Sequence, residues 1–256
     1  MQKPVLIEKV HGSSRTRAED VVVRETAITL YLNSTELVTL ICSPMHLREL
    51  CYGFLFAEGM IAGASDVAGF SFNDVDGLVW VETHRPVQAE KKFLKRHVAS
   101  CCGRGRASFY FVNDTGITPV STGLSISSSA VSALREKVEG LSDLFVATGG
   151  VHGAALSDGE QILCFFEDVG RHNALDKITG WCLLQGVPAQ DKILLFSGRI
   201  SSEILIKSAR LGIPVIVSRS ASTDLAIELA GQLGITLVGF ARGNRMNIYS
   251  HGERIV

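Results

Sequence analysis

The last quarter of the chain alternates short apolar runs with helical stretches, and this alternation limits the fold more than any other feature. Residues 193–196 read as a strand, 202–211 as a helix, 213–217 as a strand, 223–233 as a helix and 235–240 as a strand. The strands at 193–196 and 213–217 are nearly all apolar, as expected when both faces of a sheet are covered. Strands joined through helices pair in parallel by right-handed crossovers, so this run calls for a parallel sheet with helices packed on it. A further strand at 246–250 closes the chain.

Upstream the grammar differs. Residues 5–10, 20–32 and 37–42 are rich in Val, Ile, Thr and Leu and read as strands, with a turn at 33–36. Ser43-Pro44 has the form of an N-cap followed by Pro at the first helical position, which predicts a helix to about Ala57, stopped by Gly59. Residues 67–72 and 78–83 form a hairpin pattern about 73–77. Residues 84–106 are basic and aperiodic and read as a loop, and the Ser-, Thr- and Gly-rich stretch 113–129 is the best boundary. Beyond it come a helix at 130–138, strands at 154–156 and 161–166 joined by a hairpin turn at Ser157-Asp158-Gly159, and a helix at 173–185 ended by Gly186. The expectation is a small α+β domain over 1–120 and an α/β domain with a mostly parallel sheet over 121–256.

Length and charge narrow the class. A chain of 256 residues can sustain a core without disulfide or metal staples. Its net charge of −1 argues against a protein that coats nucleic acid. No window reaches the apolar length of a membrane span, and the first residues lack the pattern of a secretory signal, so a cytoplasmic protein is expected. Six cysteines at 42, 51, 101, 102, 164 and 182 then read as core residues or as chemistry, since cytosolic thiols stay reduced.

Three clusters carry chemistry. In a parallel sheet, ligands bind at the carboxyl ends of the strands. Here those ends run into Ser197-Gly198-Arg199-Ile200-Ser201-Ser202, Ser218-Arg219-Ser220-Ala221-Ser222 and Ala241-Arg242-Gly243-Asn244-Arg245. Free amides at helix N-termini favour anions and Arg makes bidentate phosphate contacts, so three such loops on one edge suggest a phosphorylated ligand. The alternative is capping serines and solvated arginines. The second cluster is Thr148-Gly149-Gly150-Val151-His152-Gly153 with Glu167-Asp168-Val169-Gly170-Arg171-His172-Asn173. Its glycines let backbone approach a ligand, and Asp168 and His172 would share a helical face if that helix starts early. Capping and an ordinary turn are the plainer explanation. The third is Cys101-Cys102, with Arg96, His97, Arg104 and Arg106 close in sequence. Positive charge populates a thiolate, so this pair reads as reactive. Cys42, Cys51, Cys164 and Cys182 lie in apolar runs and read as buried.

Other chemistries are poorly served. No C-x-x-C offers a zinc site. His251-Gly252-Glu253 matches half of a zinc-deaminase signature but lacks its cysteine half. There is no nucleophile elbow, Walker A loop or dinucleotide fingerprint.

Taken together, the clusters resemble the FdhD/NarQ family of formate dehydrogenase accessory sulfurtransferases. The most specific segments are Thr148 to His152, Glu167 to Lys177, Ser197 to Glu203 and Phe240 to Tyr249. The resemblance implies a cytoplasmic sulfur carrier that takes persulfide sulfur from a cysteine desulfurase. It passes the sulfur to a molybdenum (or tungsten) bis-molybdopterin guanine dinucleotide cofactor, bound as substrate, before that cofactor enters formate dehydrogenase. It also implies a cytidine-deaminase-like α/β domain and no permanently bound metal. The implied catalytic residues are Cys102 and Cys101. The implied cofactor contacts are Phe240, Ala241, Arg242, Gly243, Asn244 and Arg245, with Arg199, Arg219, His172 and Gly150. The family loop usually reads Ser-Cys-Gly-x-Cys-Gly. Here Cys102 aligns with its first cysteine and Gly105 with its second, while Cys101 stands one residue upstream. That keeps a non-catalytic cofactor-binding chaperone open as an alternative, and a zinc-dependent nucleotide deaminase as a third reading. A homodimer is the default expectation for a soluble α/β protein.

Overall fold

The computed structural model describes residues 1–85 and 117–256. Cys101, Cys102 and the basic residues around them therefore lie outside the described residues.

The chain opens with an antiparallel hairpin of β1 (Gln2–His11) and β2 (Ser14–Val23) that turns at Gly12, whose φ is +61°. The long run read as one strand over 20–32 is two, because β2 ends at Val23 and β3 (Thr26–Leu32) begins a separate sheet. That sheet holds β3, β4 (Thr35–Cys42), β5 (Val67–Asn73) and β6 (Leu78–Thr83) in the order β4-β3-β6-β5. Helix α1 (Leu47–Ala57) covers it and buries Leu50, Cys51, Phe54 and Leu55 against Ile28, Leu30, Val79 and Val81. Ser43 does not cap this helix. The N-cap is His46, in the left-handed region at φ 56°, because Ser43 is committed elsewhere.

The second body contains α2 (Ser128–Glu139), α3 (Asp143–Thr148), β7 (His152–Ser157), β8 (Ile162–Asp168), α4 (Arg171–Gln185), β9 (Ile193–Phe196), α5 (Ser202–Leu211), β10 (Val215–Ser218), α6 (Asp224–Gln232), β11 (Thr236–Arg242) and β12 (Arg245–Ser250). The chain has joined this body by 117–126. Ile117 packs on its core, Val120 N–H donates to Leu233 O at 2.8 Å, and Ile126 bridges to Ile255.

Its six strands lie in the order β12-β11-β10-β9-β7-β8. Only β9, β10 and β11 pair in parallel, so the sheet is mixed rather than mostly parallel. The reason is connection length. β7 and β8 are joined by the turn at Ser157–Gly159, and β11 and β12 by Gly243-Asn244, and connections this short permit only antiparallel pairs. Helices α4, α5 and α6 bury one face through Ala154, Leu156, Ile178, Leu205 and Ala230. Helix α2 covers the other through Val131 and Leu134 against Ala155, Leu195 and Val217.

The two bodies meet where α1 crosses α4. A side-chain carbon on Gly53 would fall 1.8 Å from the Asp176 carbonyl oxygen, and one on Gly180 would fall 1.8 Å from the Glu49 carbonyl oxygen. Each helix thus presents a glycine to the backbone of the other. Gly in a helix interior is unfavourable by roughly 1 kcal/mol, and here close helix contact accounts for it. Gly53→Ala and Gly180→Ala are each expected to destabilise the fold by at least about 1–3 kcal/mol, the usual range for overpacking. Urea denaturation checks this, and an unchanged midpoint for either variant would refute the crossing.

Candidate functional site

The site is built on a buried polar lock. Asp168, the last residue of β8, and Lys177, on α4, are both fully buried, with Nζ 2.6 Å from Oδ2. Burying charges is unfavourable unless every remaining valence is met, and here the carboxylate is saturated. Its Oδ2 also accepts the Ser43 amide at 3.1 Å, and its Oδ1 accepts Gly170 N–H at 2.9 Å and Asn173 Nδ2 at 2.8 Å. Lys177 Nζ donates again to Glu167 O at 3.1 Å. Ser43 Oγ accepts Val169 N–H at 3.1 Å, and Asn173 Nδ2 donates to Ile41 O at 2.8 Å. The end of β4 is thereby fixed to the β8–α4 turn. Sequence spacing paired Asp168 with His172; the structure does not, because α4 begins at Arg171 and Asp168 turns inward to Lys177.

This lock sits below an edge where the expected loops converge. β7 starts where the parallel strands end, since His152 pairs with Asp168 and Ala154 with Phe196. Main-chain bonds join the loops in sequence across the edge. Ser197 N–H donates to Gly153 O at 3.0 Å, Arg219 N–H to Phe196 O at 3.1 Å, and Phe240 N–H to Ser220 O at 3.0 Å. Ser218 Oγ donates to Gly198 O at 2.7 Å. Gly198 is closely packed, since a side-chain carbon there would lie 3.0 Å from Phe196 Cε1 and 3.3 Å from Arg171 Cβ.

The predicted residues are brought together unequally. Arg199, Arg242, Gly243, Asn244 and Arg245 are exposed along the edge and the β11–β12 tip, and Ala241 is buried beneath them. Phe240 is 38% exposed and holds φ 49°, a strained backbone for an aromatic residue and a frequent mark of a functional position. Arg219 turns toward α2, where its guanidinium lies 3.6 Å from Glu139 Oε1. That carboxylate also takes Arg135. His172 Nε2 lies 3.2 Å from Glu203 Oε2. Gly150 has a packing reason for its missing side chain, since a carbon there would fall 2.7 Å from Val23 Cγ1 of β2.

Sequence reasoning passed over three things at this edge. One is the Asp168–Lys177 lock, whose only trace is a lysine among residues that are otherwise buried. Another is the contact of His152 Nδ1 with Ser197 Oγ at 3.5 Å. The last is a set of buried polar atoms without a hydrogen-bond partner, Ser201 Oγ, Ser222 Oγ and Arg171 Nε. Buried polar groups are normally paired, so unpaired ones beside two helix N-termini suit an anionic ligand. Among the described residues no group of three His, Cys, Asp or Glu could hold a metal ion. His251 instead faces Glu253 at 3.3 Å and Gly231 O at 3.0 Å. No described helix is long and apolar enough to cross a membrane.

The model of the FdhD/NarQ family matches residues 23–256. The chain belongs to this family. Among its relatives, the sulfur carrier protein FdhD of Bacillus pumilus is 44% identical over 100% of this chain and 98% of its own. That of Bacillus subtilis is 45% identical, over 94% and 92%. A crystal structure from Desulfotalea psychrophila, described as a formate dehydrogenase accessory protein, superposes with a TM-score of 0.81 at 25% identity, covering 100% of this chain and 99% of its own. The family assignment directs attention to thiols, and of the four described, Cys42, Cys51 and Cys182 are buried and Cys164 is half-buried. Burial pushes the Cys42 thiol up to about 12, aided by Asp168, and does the same for Cys164 and Cys182. Cys51 is pushed up further.

Two outcomes follow. Lys177→Ala leaves a buried carboxylate without its cation and is expected to destabilise by about 3–5 kcal/mol, measured by urea denaturation; a smaller effect than for a surface lysine would contradict the lock. In a thiol titration near pH 8, Cys42, Cys51, Cys164 and Cys182 should resist modification in the folded protein and react once it is denatured. Labelling of any of the four in the native state, mapped by peptide mass spectrometry, would contradict their assignment as inert.

Proposed function

We propose that this protein is a sulfur carrier for formate dehydrogenase maturation. It accepts persulfide sulfur on Cys102 from a cysteine desulfurase and transfers it to a molybdenum (or tungsten) bis-molybdopterin guanine dinucleotide, its cargo, before insertion into the dehydrogenase. The carrying observation is the convergence of this family's long segments on one strand edge that suits a phosphorylated ligand. Arg199, Arg242 and Arg245 supply charge there, and the unpartnered Ser201 Oγ, Ser222 Oγ and Arg171 Nε supply polar groups with spare hydrogen-bonding capacity. Phe240, held in its strained conformation, offers a ring face to a base. The mixed sheet with helices on both faces is compatible with a cytidine-deaminase-like relationship.

The names of the curated relatives support sulfur carriage. The basic setting of Cys101-Cys102 in sequence supports a thiolate at this loop. One feature favours a second reading, a cofactor chaperone without covalent chemistry: Gly105 stands where the family loop has its second cysteine.

Intact-mass spectrometry after incubation with a cysteine desulfurase and cysteine separates the two. The expected result is a gain of one sulfur atom, reversed by a thiol reductant and mapped to Cys102. Cys102→Ala is expected to abolish maturation of the dehydrogenase. A protein that gains no sulfur, with a Cys102→Ala variant that still matures its client, would establish the chaperone instead.

A further inference from the structure

The motif Thr148 to His152 ends on a residue to which the reading above gives no role. His152 is half-buried at the start of β7. Its Nδ1 lies 3.5 Å from Ser197 Oγ, which already accepts the Gly153 amide at 2.9 Å. Nε2 is the basic nitrogen in the tautomer that carries its proton on Nδ1, directed at that hydroxyl. The charged groups that act on the ring are Arg171 and His172 from the start of α4 and Asp168 from β8, while Ser197 of the β9–α5 loop lies at its Nδ1 and Glu203 of α5 pairs with His172.

We propose that His152 is the proton acceptor of the strand-edge site and that Ser197 is the residue that orients it, acting on a sulfhydryl group presented there. This rests on the sulfur-carrier reading and names the group that handles its proton. The step moves one proton and no electrons beyond it. The S–H bond breaks, the electron pair stays on sulfur, and the proton adds to Nε2 to give an imidazolium. The acid must be a sulfhydryl rather than an alcohol. Proton transfer is efficient when donor and acceptor pKa values lie close, and a thiol near about 8.5 is within reach of an imidazole whereas an alcohol is not. Arg171 beside the ring favours the sulfur anion that results.

Burial lowers the His152 pKa below the ordinary histidine value, and Arg171 and His172 lower it further. The ring is therefore uncharged near neutral pH and fit to accept a proton. The acid side of the activity profile should fall as pH drops through this lowered value.

The test is made on the full-length protein. Nuclear magnetic resonance of ring-labelled histidine locates the His152 midpoint, and hydrosulfide serves as the sulfhydryl probe. Hydrosulfide is expected to shift the His152 resonances and raise the midpoint, in wild type and in Cys102→Ala alike. Activation of formate dehydrogenase is followed across pH in parallel. His152→Gln is expected to lower it by about 100-fold, within the usual range for a lost acid–base group, and to remove the acid limb. GDP affinity should stay unchanged, which also shows that the variant is folded. Wild-type activation by His152→Gln, or an acid limb that survives it, overturns the proposal. Should His152→Gln lose GDP binding, Ser197→Ala decides: midpoint and acid limb must move together, and movement of only one overturns the assignment. A Cys102→Ala protein that still activates the dehydrogenase defeats the sulfur-carrier reading instead, and the hydrosulfide response then bears on His152 alone.

Discussion

The pairing of Asp168 with Lys177 is the interaction on which the rest of the architecture depends. A carboxylate and an ammonium with no solvent exposure are tolerated only because main-chain and amide donors occupy the remaining acceptor positions. Those donors come from both bodies of the molecule. Ser43 follows β4, while Gly170 and Asn173 belong to the β8–α4 turn. Removing either charge would loosen the junction and the start of α4 together. The glycine-mediated crossing of α1 and α4 is the packing counterpart of this lock. Lys207 on α5 adds a second tie by gripping both oxygens of the buried Asp176 at 2.7 and 2.6 Å while lying over the Phe54 ring of α1.

A rigid junction matters because the edge above it concentrates positive charge on a protein whose net charge is −1. Arginines at strand ends and helix N-termini repel one another and stay together only if the loops that carry them are held. Main-chain bonds from Ser197 to Gly153, Arg219 to Phe196 and Phe240 to Ser220 do this, helped by Arg242 Nε, which donates to Arg219 O at 3.2 Å. Burial, with Arg171 and His172 adding to it, lowers the His152 pKa below the ordinary histidine value at this same edge. Such an arrangement suits a ligand that brings phosphates and sulfur to the same place.

Much of the fold could be read from the sequence, but unevenly. The β9–α5–β10–α6–β11 run was legible because buried parallel strands are uniformly apolar and their helices end at glycines. The hairpin expected of β7 and β8 about Ser157-Asp158-Gly159 is present, but the antiparallel pairing of β7 with β9 and of β12 with β11 makes the sheet mixed where a mostly parallel one was expected. Helix α4 was placed at 173–185 and begins at Arg171. Buried from Asn173 through Gly180 between α1 and the sheet, it has no polar face to mark its limits. The arginine-bearing loops were legible as a group, yet Arg219 turns to Glu139 of α2, a neighbour that no local pattern in the sequence indicates.

The sequence by itself determined the elements of the second body other than α3, the family, and the set of residue types offered at the strand ends. These depend on local periodicity, turn chemistry and motif identity, all of which act over a few residues. Only the tertiary structure decided which groups meet. Ser43 left its expected capping role to bind Asp168 and Val169, some 125 residues away. His152 found Ser197 and the charges of α4 across a strand pairing. Such contacts are fixed by burial, where an unpaired polar group is expensive and must find its partner wherever packing places one.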